Sequence, residues 1–178
     1  MNNLFPVFLK LEHMNLLIVG GGYVGLEKLE AVLKNSPATK VTLVAPEISK
    51  EIQERAKSHN ITLLFEPYDK KNLLGKNLVI VGTGIVAVST VVQADCREAN
   101  ILVNVADNPP LCDFYLGSVV KKGDLKVAIS TNGKSPTFAK RFREILEQVL
   151  PESLQETLDN LQFLRNRLKG DFEYKVDK

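Results

Sequence analysis

The sequence predicts an α/β fold with a doubly wound parallel sheet, followed by a smaller α+β region. In the first half, short β-branched runs alternate with helical patterns, which is how consecutive βαβ units look in a sequence. The first run, Leu16-Leu17-Ile18-Val19, is apolar at every position, as expected of a strand covered on both faces. After Asp107 the pattern changes, because Asn108-Pro109-Pro110 breaks any helix and opens a loop.

The elements follow from apolar runs for strands and from apolar residues three and four positions apart for helices. Strands are predicted at residues 16–19, 40–44, 61–65, 78–81 and 101–103, and helices at 24–34, 48–59 and 85–99. In the second region, strands at 117–121 and 125–130 flank a turn at 122–124, and helices cover 135–150 and 154–168. Ser135-Pro136 marks a helix start, since serine caps helices and proline suits the first helical position. Residues 170–178 are polar, and we expect a frayed end.

We divide the chain into residues 1–107 for the sheet domain, 108–150 for a dimerisation and cleft region, and 151–178 for a C-terminal helical segment. The part beyond residue 107 has few core positions, and units of about 65 residues are marginal alone. This predicts that it pairs with a second copy in a homodimer.

Composition excludes several function classes. The 178 residues are 44% hydrophobic and carry a net charge of +2, too close to balance to attract nucleic acid or anionic lipid as a whole. The longest apolar stretch, residues 78–92, is interrupted by glycine, threonine and serine, so no membrane span is expected. Cys96 and Cys112 lack the spacing of a zinc site, so no metal site is predicted. Two thiols and a start unlike a signal peptide favour the cytoplasm.

A glycine-rich loop, Gly20-Gly21-Gly22-Tyr23-Val24-Gly25, lies between a predicted strand and a predicted helix. In this setting Gly20 allows the tight turn, Gly22 lets the backbone approach a pyrophosphate, and Gly25 permits close packing of helix and strand. The helix start supplies free N–H groups for phosphates. We therefore predict a Rossmann-like NAD(P)-binding domain; the alternative is that the glycines serve only the turn.

Two further segments border this predicted cofactor site. Pro46-Glu47 follows the second strand, where such folds place the acidic residue that binds the ribose. No arginine stands there to bind a 2′-phosphate, so NAD is favoured over NADP. The alternative is that Glu47 lies in the first turn of the next helix. Thr83-Gly84 ends the fourth strand and should border the nicotinamide half of the cofactor.

Asp107 follows the fifth strand and should face the same crevice as the glycine loop. There a carboxylate could act as a general base or attract a cationic group. The alternative is an Asx turn that leads into the two prolines. For Cys112, a small buried thiol is favoured over a catalytic role.

A basic segment, residues 121–143, carries seven lysines and arginines against a single aspartate. Such a cluster suits a ligand with several carboxylates or phosphates, although a solvated helix face explains some of the charge. Within it, a loop of small residues enters a helix and forms a second anion-binding arrangement. The candidate ligand contacts in this loop are Thr131, Asn132, Lys134 and Ser135. Nucleic acid is not expected, because Phe138 and Phe142 are the only aromatic residues among these charges.

A set of motifs along the chain points to one family. They are Phe5-Pro6-Val7-Phe8-Leu9, residues 19–24 with Lys28, residues 41–47, 103–107, 111–114 and 122–125, and Ala128-Ile129-Ser130-Thr131-Asn132-Gly133-Lys134-Ser135-Pro136. Together they resemble the precorrin-2 dehydrogenases of sirohaem biosynthesis, including the N-terminal dehydrogenase and ferrochelatase module of sirohaem synthases. The resemblance runs from Phe5 to about Leu150.

The resemblance implies NAD-dependent oxidation of precorrin-2 to sirohydrochlorin by a homodimer whose second part helps form the substrate cleft. It implies that Asp107 is the main catalytic residue, that Thr131 lies in the active-site loop, and that NAD contacts Tyr23, Val24, Pro46 and Glu47. Some members also use the aspartate to insert iron, so a bifunctional dehydrogenase and ferrochelatase is one alternative. A non-catalytic NAD-sensing module is a more distant one.

The sequence departs from the family pattern at three places. Leu116-Gly117-Ser118 replaces a common aromatic-Pro-Ala run, Gly82-Thr83-Gly84 replaces Ala-Thr-Asp or Ala-Thr-Asn, and Ser89 stands where asparagine is frequent. These changes bear on details of the cleft and of the nicotinamide contact.

Overall fold

The structure is a computed structural model that describes residues 2–167. The chain divides into two compact units. One unit comprises Phe5–Leu116, and the other comprises the first four residues together with the chain from Gly117 onward. The assignment of distinct roles to residues 1–107, 108–150 and 151–178 stays a prediction.

The larger unit is a five-stranded parallel sheet with helical connections. Its strands are β1 (Asn15–Val19), β2 (Lys40–Val44), β3 (Ile61–Leu64), β4 (Leu78–Val81) and β5 (Leu102–Val105), in the order β3-β2-β1-β4-β5. Its helices are α1 (Tyr23–Asn35), α2 (Lys50–Ala56) and α3 (Val86–Glu98), with short 3-10 turns at Leu11–His13, Lys70–Leu73 and Pro109–Leu111. The predicted α/β class and parallel sheet are confirmed.

Both faces of the sheet are buried. Along β1, Leu16 and Ile18 pack with α1 and α2 in one apolar core, and Leu17 and Val19 pack with α3 in another. All four side chains are at most 2% exposed. The apolar character of the strand at every position is explained by this double burial.

The smaller unit is an antiparallel hairpin with two helices. Strands β6 (Ser118–Lys122) and β7 (Leu125–Ile129) pair with each other, and α4 (Pro136–Val149) and α5 (Leu154–Arg167) follow. The side chain of Gln155 binds the hairpin turn with two hydrogen bonds. It accepts one from Asp124 N at 2.8 Å and donates one to Asp124 Oδ2 at 3.0 Å. The antiparallel sheet and C-terminal helices were expected, and they are confirmed.

Helix α2 differs from its predicted bounds. It begins at Lys50 rather than at Ile48, because the Ser49 hydroxyl accepts a hydrogen bond from Ile52 N and so caps the helix. It ends at Ala56, where the backbone bonds tighten to three-residue spacing before the chain enters β3. By contrast, α4 begins where predicted, with Ser135 as cap and Pro136 as first residue.

The predicted frayed segment, residues 170–178, lies outside the described residues. Within residues 2–167, no helix is both long enough and apolar enough to cross a membrane.

Candidate functional site

The glycine loop connects β1 to α1 and is built from close backbone contacts. Gly20 has φ 126°, a conformation that residues with a side chain rarely adopt, and its N–H donates to Val44 O at 3.0 Å. A Cβ on Gly20 would overlap the carbonyl of Gly82, and a Cβ on Gly25 would overlap the carbonyl of Gly20. The tight turn and close packing expected at Gly20 and Gly25 are therefore present.

Gly21 is a loop residue whose role the sequence reasoning missed. A Cβ at this position would overlap the carbonyl oxygen of Glu47, and the Gly21 carbonyl accepts a hydrogen bond from Ser49 N at 2.9 Å. The glycine loop is thus attached to the segment that follows β2. The only signal in the sequence was the run of three consecutive glycines.

Gly22 stands at the open side of the loop. No atom lies within 4 Å of a Cβ built there, and the first helical bond of α1 runs from Leu26 N to Gly22 O. The N–H groups that precede Leu26 therefore have no acceptor within the helix. The first turn of α1 holds no acidic residue, and Tyr23 is 82% exposed. This open, uncapped helix start fits the pyrophosphate of a dinucleotide.

Pro46 and Glu47 are exposed directly after the buried end of β2. Glu47 comes before Ser49, the capping residue of α2, and the acidic residue in the first turn of that helix is Glu51. The alternative that Glu47 lies in the first helical turn is therefore wrong. Its carboxylate can meet a ribose hydroxyl beside the glycine loop.

Thr83 and Gly84 lie between β4 and α3. The Thr83 hydroxyl accepts a hydrogen bond from Ile85 N at 3.0 Å and lies 3.3 Å from the Ser89 hydroxyl. Gly84 has φ 68° and open space around its Cβ position. Gly82, just before them, donates its N–H to Val19 O at 2.8 Å and packs against the start of α1. The segment expected to border the nicotinamide is therefore joined to the glycine loop.

Asp107 lies in a turn beyond the carboxyl end of β5. Its φ is 58°, and the turn is closed by a hydrogen bond from Asn108 N to Val105 O at 3.3 Å. The residue is exposed, and within residues 2–167 its carboxylate has no hydrogen bond or ion pair. The Asx turn considered as an alternative is not formed, because Pro109 has no N–H to donate. The carboxylate is free to meet a ligand.

The loop between β7 and α4 belongs to the smaller unit. The Thr131 hydroxyl accepts a hydrogen bond from Ser135 N at 3.1 Å, and Ser135 Oγ accepts one from Phe138 N at 3.1 Å. Asn132 has φ 54° and Lys134 is exposed. Two of the four candidate ligand contacts, Thr131 and Ser135, therefore also hold the loop together.

The basic segment is less positive than the sequence count implied. Lys122 pairs with Glu152, Arg141 with Glu144 at 2.9 Å, and Arg143 with both oxygens of Glu147 at 2.6 and 2.7 Å. Three of the seven cations therefore form ion pairs, with glutamates that follow the segment in the chain.

The structure brings most of the candidate residues together at one edge of one unit. The glycine loop, Glu47 and Thr83 follow three neighbouring strands and contact one another through backbone atoms. Asp107 follows the next strand, β5, at the same edge. The candidates at residues 131–135 belong to the other unit. Fold and site together define a Rossmann-like dinucleotide-binding protein with an added α+β unit.

Comparison with protein families agrees with a dinucleotide-binding domain followed by a second unit. Residues 7–118 match a family described as "Putative NAD(P)-binding", and residues 122–148 match one described as "Sirohaem biosynthesis protein central". The chain belongs to the NAD(P)-binding family, and the predicted resemblance to the sirohaem enzymes is confirmed.

Relatives and solved structures extend this finding. A "Siroheme synthase" from Psychrobacter sp. (strain PRwf-1) is 42% identical over 94% of this chain and 34% of its own length. Another, from Pseudoalteromonas translucida (strain TAC 125), is 34% identical over 97% of this chain and 36% of its own length. The chain therefore spans about a third of the curated relatives it matches. The structure of "SirC, precorrin-2 dehydrogenase" is similar over 98% of this chain and 86% of its own, with 27% identity and a TM-score of 0.75.

Proposed function

We propose that this protein is an NAD-dependent dehydrogenase that oxidises precorrin-2 to sirohydrochlorin in sirohaem biosynthesis. The observation that carries the proposal is the likeness to a precorrin-2 dehydrogenase structure, which takes in both units of the chain. The open glycine loop supplies the cofactor-binding function that this reaction needs.

The cofactor would lie over the glycine loop, with its phosphates at the start of α1 and its ribose near Glu47. A bound NAD would accept the hydride that leaves the substrate. Glu47 favours NAD over NADP, because a carboxylate accepts hydrogen bonds from a ribose hydroxyl and repels a 2′-phosphate. Residues 46–50 contain no arginine that would reverse this preference.

Asp107 is proposed as the catalytic carboxylate. When a hydride departs from a reduced tetrapyrrole, a proton must also leave, and a carboxylate near the reacting carbon can accept it. Asp107 is exposed at the cofactor edge of the sheet and has no competing partner within residues 2–167. Its exposed carboxylate suits this role.

The loop of residues 131–135 is proposed to bind the carboxylates of the substrate. The left-handed turn at Asn132 and Gly133 precedes the N-terminus of α4, a region that attracts anions. Lys134 adds an exposed ammonium that forms no ion pair within residues 2–167. A tetrapyrrole carries several carboxylates, which suits such a loop.

A homodimer is proposed from the exposed face of α4. Phe138, Phe142, Ile145 and Val149 recur at helical spacing and are 41 to 72% exposed, while another face of the helix packs on the hairpin. Within the described part of this unit, up to residue 167, the core has only three buried residues, Val120, Ile129 and Ala139. An apolar face of this length on so small a core suits a second copy as its cover.

The cytoplasm is proposed as the location. Both Cys96 and Cys112 are free thiols, and Cys112 engages backbone groups as a thiol. A reducing compartment maintains that state.

An anaerobic assay tests the function. Purified protein is mixed with enzymatically generated precorrin-2 and NAD, and the spectrum of sirohydrochlorin is followed. Its appearance only with NAD supports the dehydrogenase, and NAD binding without any oxidation would favour the NAD-sensing module instead. Fe²⁺ added after NAD is consumed shows whether the protein also inserts metal, by comparison with a protein-free control.

A further inference from the structure

Strand β5 is the last strand of the sheet, and side chains cover its outer edge. Among residues 2–167 its only neighbour in the sheet is β4, so the outward N–H and C=O groups of Val103 and Val105 need other partners. Asp113 is the partner of Val103: it donates its N–H to Val103 O at 2.8 Å, and its Oδ2 accepts a hydrogen bond from Val103 N at 3.0 Å. Cys112 is the corresponding hydrogen-bond partner of Val105.

The Cys112 thiol lies against both ends of the turn that holds Asp107. Its Sγ accepts a hydrogen bond from Val105 N at 3.2 Å and can donate to Val105 O at 3.1 Å or to Asn108 O at 3.4 Å. Val105 and Asn108 are also the residues that close the turn, with Ala106 and Asp107 between them. The Cys112 thiol thus connects Val105 and Asn108, the residues on either side of Ala106 and Asp107.

The backbone alone directs the Asp107 side chain. Its carboxylate has no partner within residues 2–167, so no hydrogen bond or ion pair orients it. The φ of 58° is one that residues other than glycine, asparagine and aspartate avoid. A turn of this kind needs support from its surroundings to stay in place.

We propose that Cys112 is a positioning residue for Asp107. Through Val105 and Asn108 its thiol holds the left-handed turn that presents the carboxylate to the substrate. Donation requires the protonated thiol, and burial raises the pKa of Cys112, which favours that form. This inference rests on the proposed catalytic role of Asp107.

Three substitutions separate positioning from simple stability. Cys112→Ser keeps a donor and acceptor at the turn, whereas Cys112→Val fills similar space without either. Cys96→Ala is the matched control, because Cys96 is a fully buried thiol in the same apolar cluster of this unit and lies in α3. Turnover with saturating precorrin-2 and NAD, the NAD dissociation constant and the unfolding midpoint are measured for each.

We expect Cys112→Val to lower kcat about tenfold or more, since small misplacements of a catalytic group are costly, while the NAD dissociation constant stays unchanged. Cys112→Ser should recover most of this loss, and Cys96→Ala should lower the unfolding midpoint without lowering kcat. Equal kcat in Cys112→Val and Cys96→Ala would overturn the proposal.

Variants at Asp107 distinguish a failure of the positioning role of Cys112 from a failure of the proposed function. If Cys112 acts through Asp107, adding Cys112→Val to Asp107→Asn should lower kcat no further than Asp107→Asn alone. A further drop of the same size in the double variant would contradict positioning. Full turnover in Asp107→Asn itself would instead overturn the catalytic role on which the inference rests.

Discussion

Ser49 donates its backbone N–H to the carbonyl oxygen of Gly21 over 2.9 Å, which ties the end of the second strand to the glycine loop. The same contact brings the Glu47 carbonyl against Gly21. The proposed phosphate site and the proposed ribose site are thereby connected through direct backbone contacts.

Substitution by alanine should have different effects on stability and NAD binding at Gly21 and at Gly22. Gly21→Ala places a methyl group against the Glu47 carbonyl and should cost about 1–3 kcal/mol of folding stability. Gly22→Ala meets no protein atom and should leave the unfolding midpoint near that of the wild type, while weakening NAD binding. Thermal unfolding and NAD titration check both. Equal stability losses would contradict the account of the loop.

Glu47 should set the cofactor preference. Glu47→Gln removes the charge that repels a 2′-phosphate and weakens the bond to the ribose, so NAD affinity should fall about tenfold and preference over NADP should narrow. Glu51→Gln, in the first turn of α2, is the matched control and should alter neither. Calorimetric titration with both nucleotides measures the change. An unaltered preference in Glu47→Gln would count against this assignment.

Asp107→Asn should strongly lower turnover and leave cofactor binding intact. The amide keeps the shape and tolerates the left-handed backbone but cannot accept a proton. We expect kcat to fall about 100-fold to 10,000-fold, as for the loss of a general base. Single-turnover kinetics with precorrin-2, alongside NAD titration, provide the comparison.

The exposed face of α4 should control assembly. Ile145→Glu places a charge in the middle of the apolar stripe and should shift the protein from dimer to monomer. Lys140→Glu adds the same residue at another exposed position of that helix and should leave the dimer in place. Light scattering after size exclusion gives the mass. A wild type at 19.8 kDa would refute the dimer.

Stability should fall on the alkaline side because of Cys96. Burial raises the pKa of this thiol from 9.0 to about 12, so the unfolded chain loses the proton at a pH where the folded chain keeps it. Stability is therefore full below about pH 9 and declines from there towards pH 12. At pH 10 the stability lost through this thiol is about 1 kcal/mol. Denaturant unfolding at pH 8 and pH 10 should show a smaller decline in Cys96→Ala.

The fold and the cofactor loop could be predicted because their signals are local. The strand Leu16–Val19 is apolar throughout since both of its faces are buried, and the glycine spacing directly reflects the close contacts of the loop. Ser135 and Pro136 mark the start of α4 by their own chemistry. Each of these signals is contained within a few consecutive residues.

Other features depend on partners that are distant in the chain. The need for glycine at position 21 comes from Glu47, which follows the next strand, β2. The charge of Lys122 is compensated by Glu152, which comes after the following helix. From the sequence, Cys112 was predicted to be a small buried thiol. Its hydrogen bonds to Val105 form because the chain turns back along the edge of the sheet after β5. Spacing in the sequence carries no record of such contacts.

The central claim is that hydride passes from the tetrapyrrole to NAD on this chain. The most direct measurement is the ratio of NADH formed to sirohydrochlorin formed when purified wild-type protein, precorrin-2 and NAD are mixed without oxygen. We expect equal amounts of the two products from the wild type, and formation of both products at least about 100-fold more slowly in the Asp107→Asn variant. Sirohydrochlorin that accumulates without matching NADH, or no oxidation by the wild type, would contradict it.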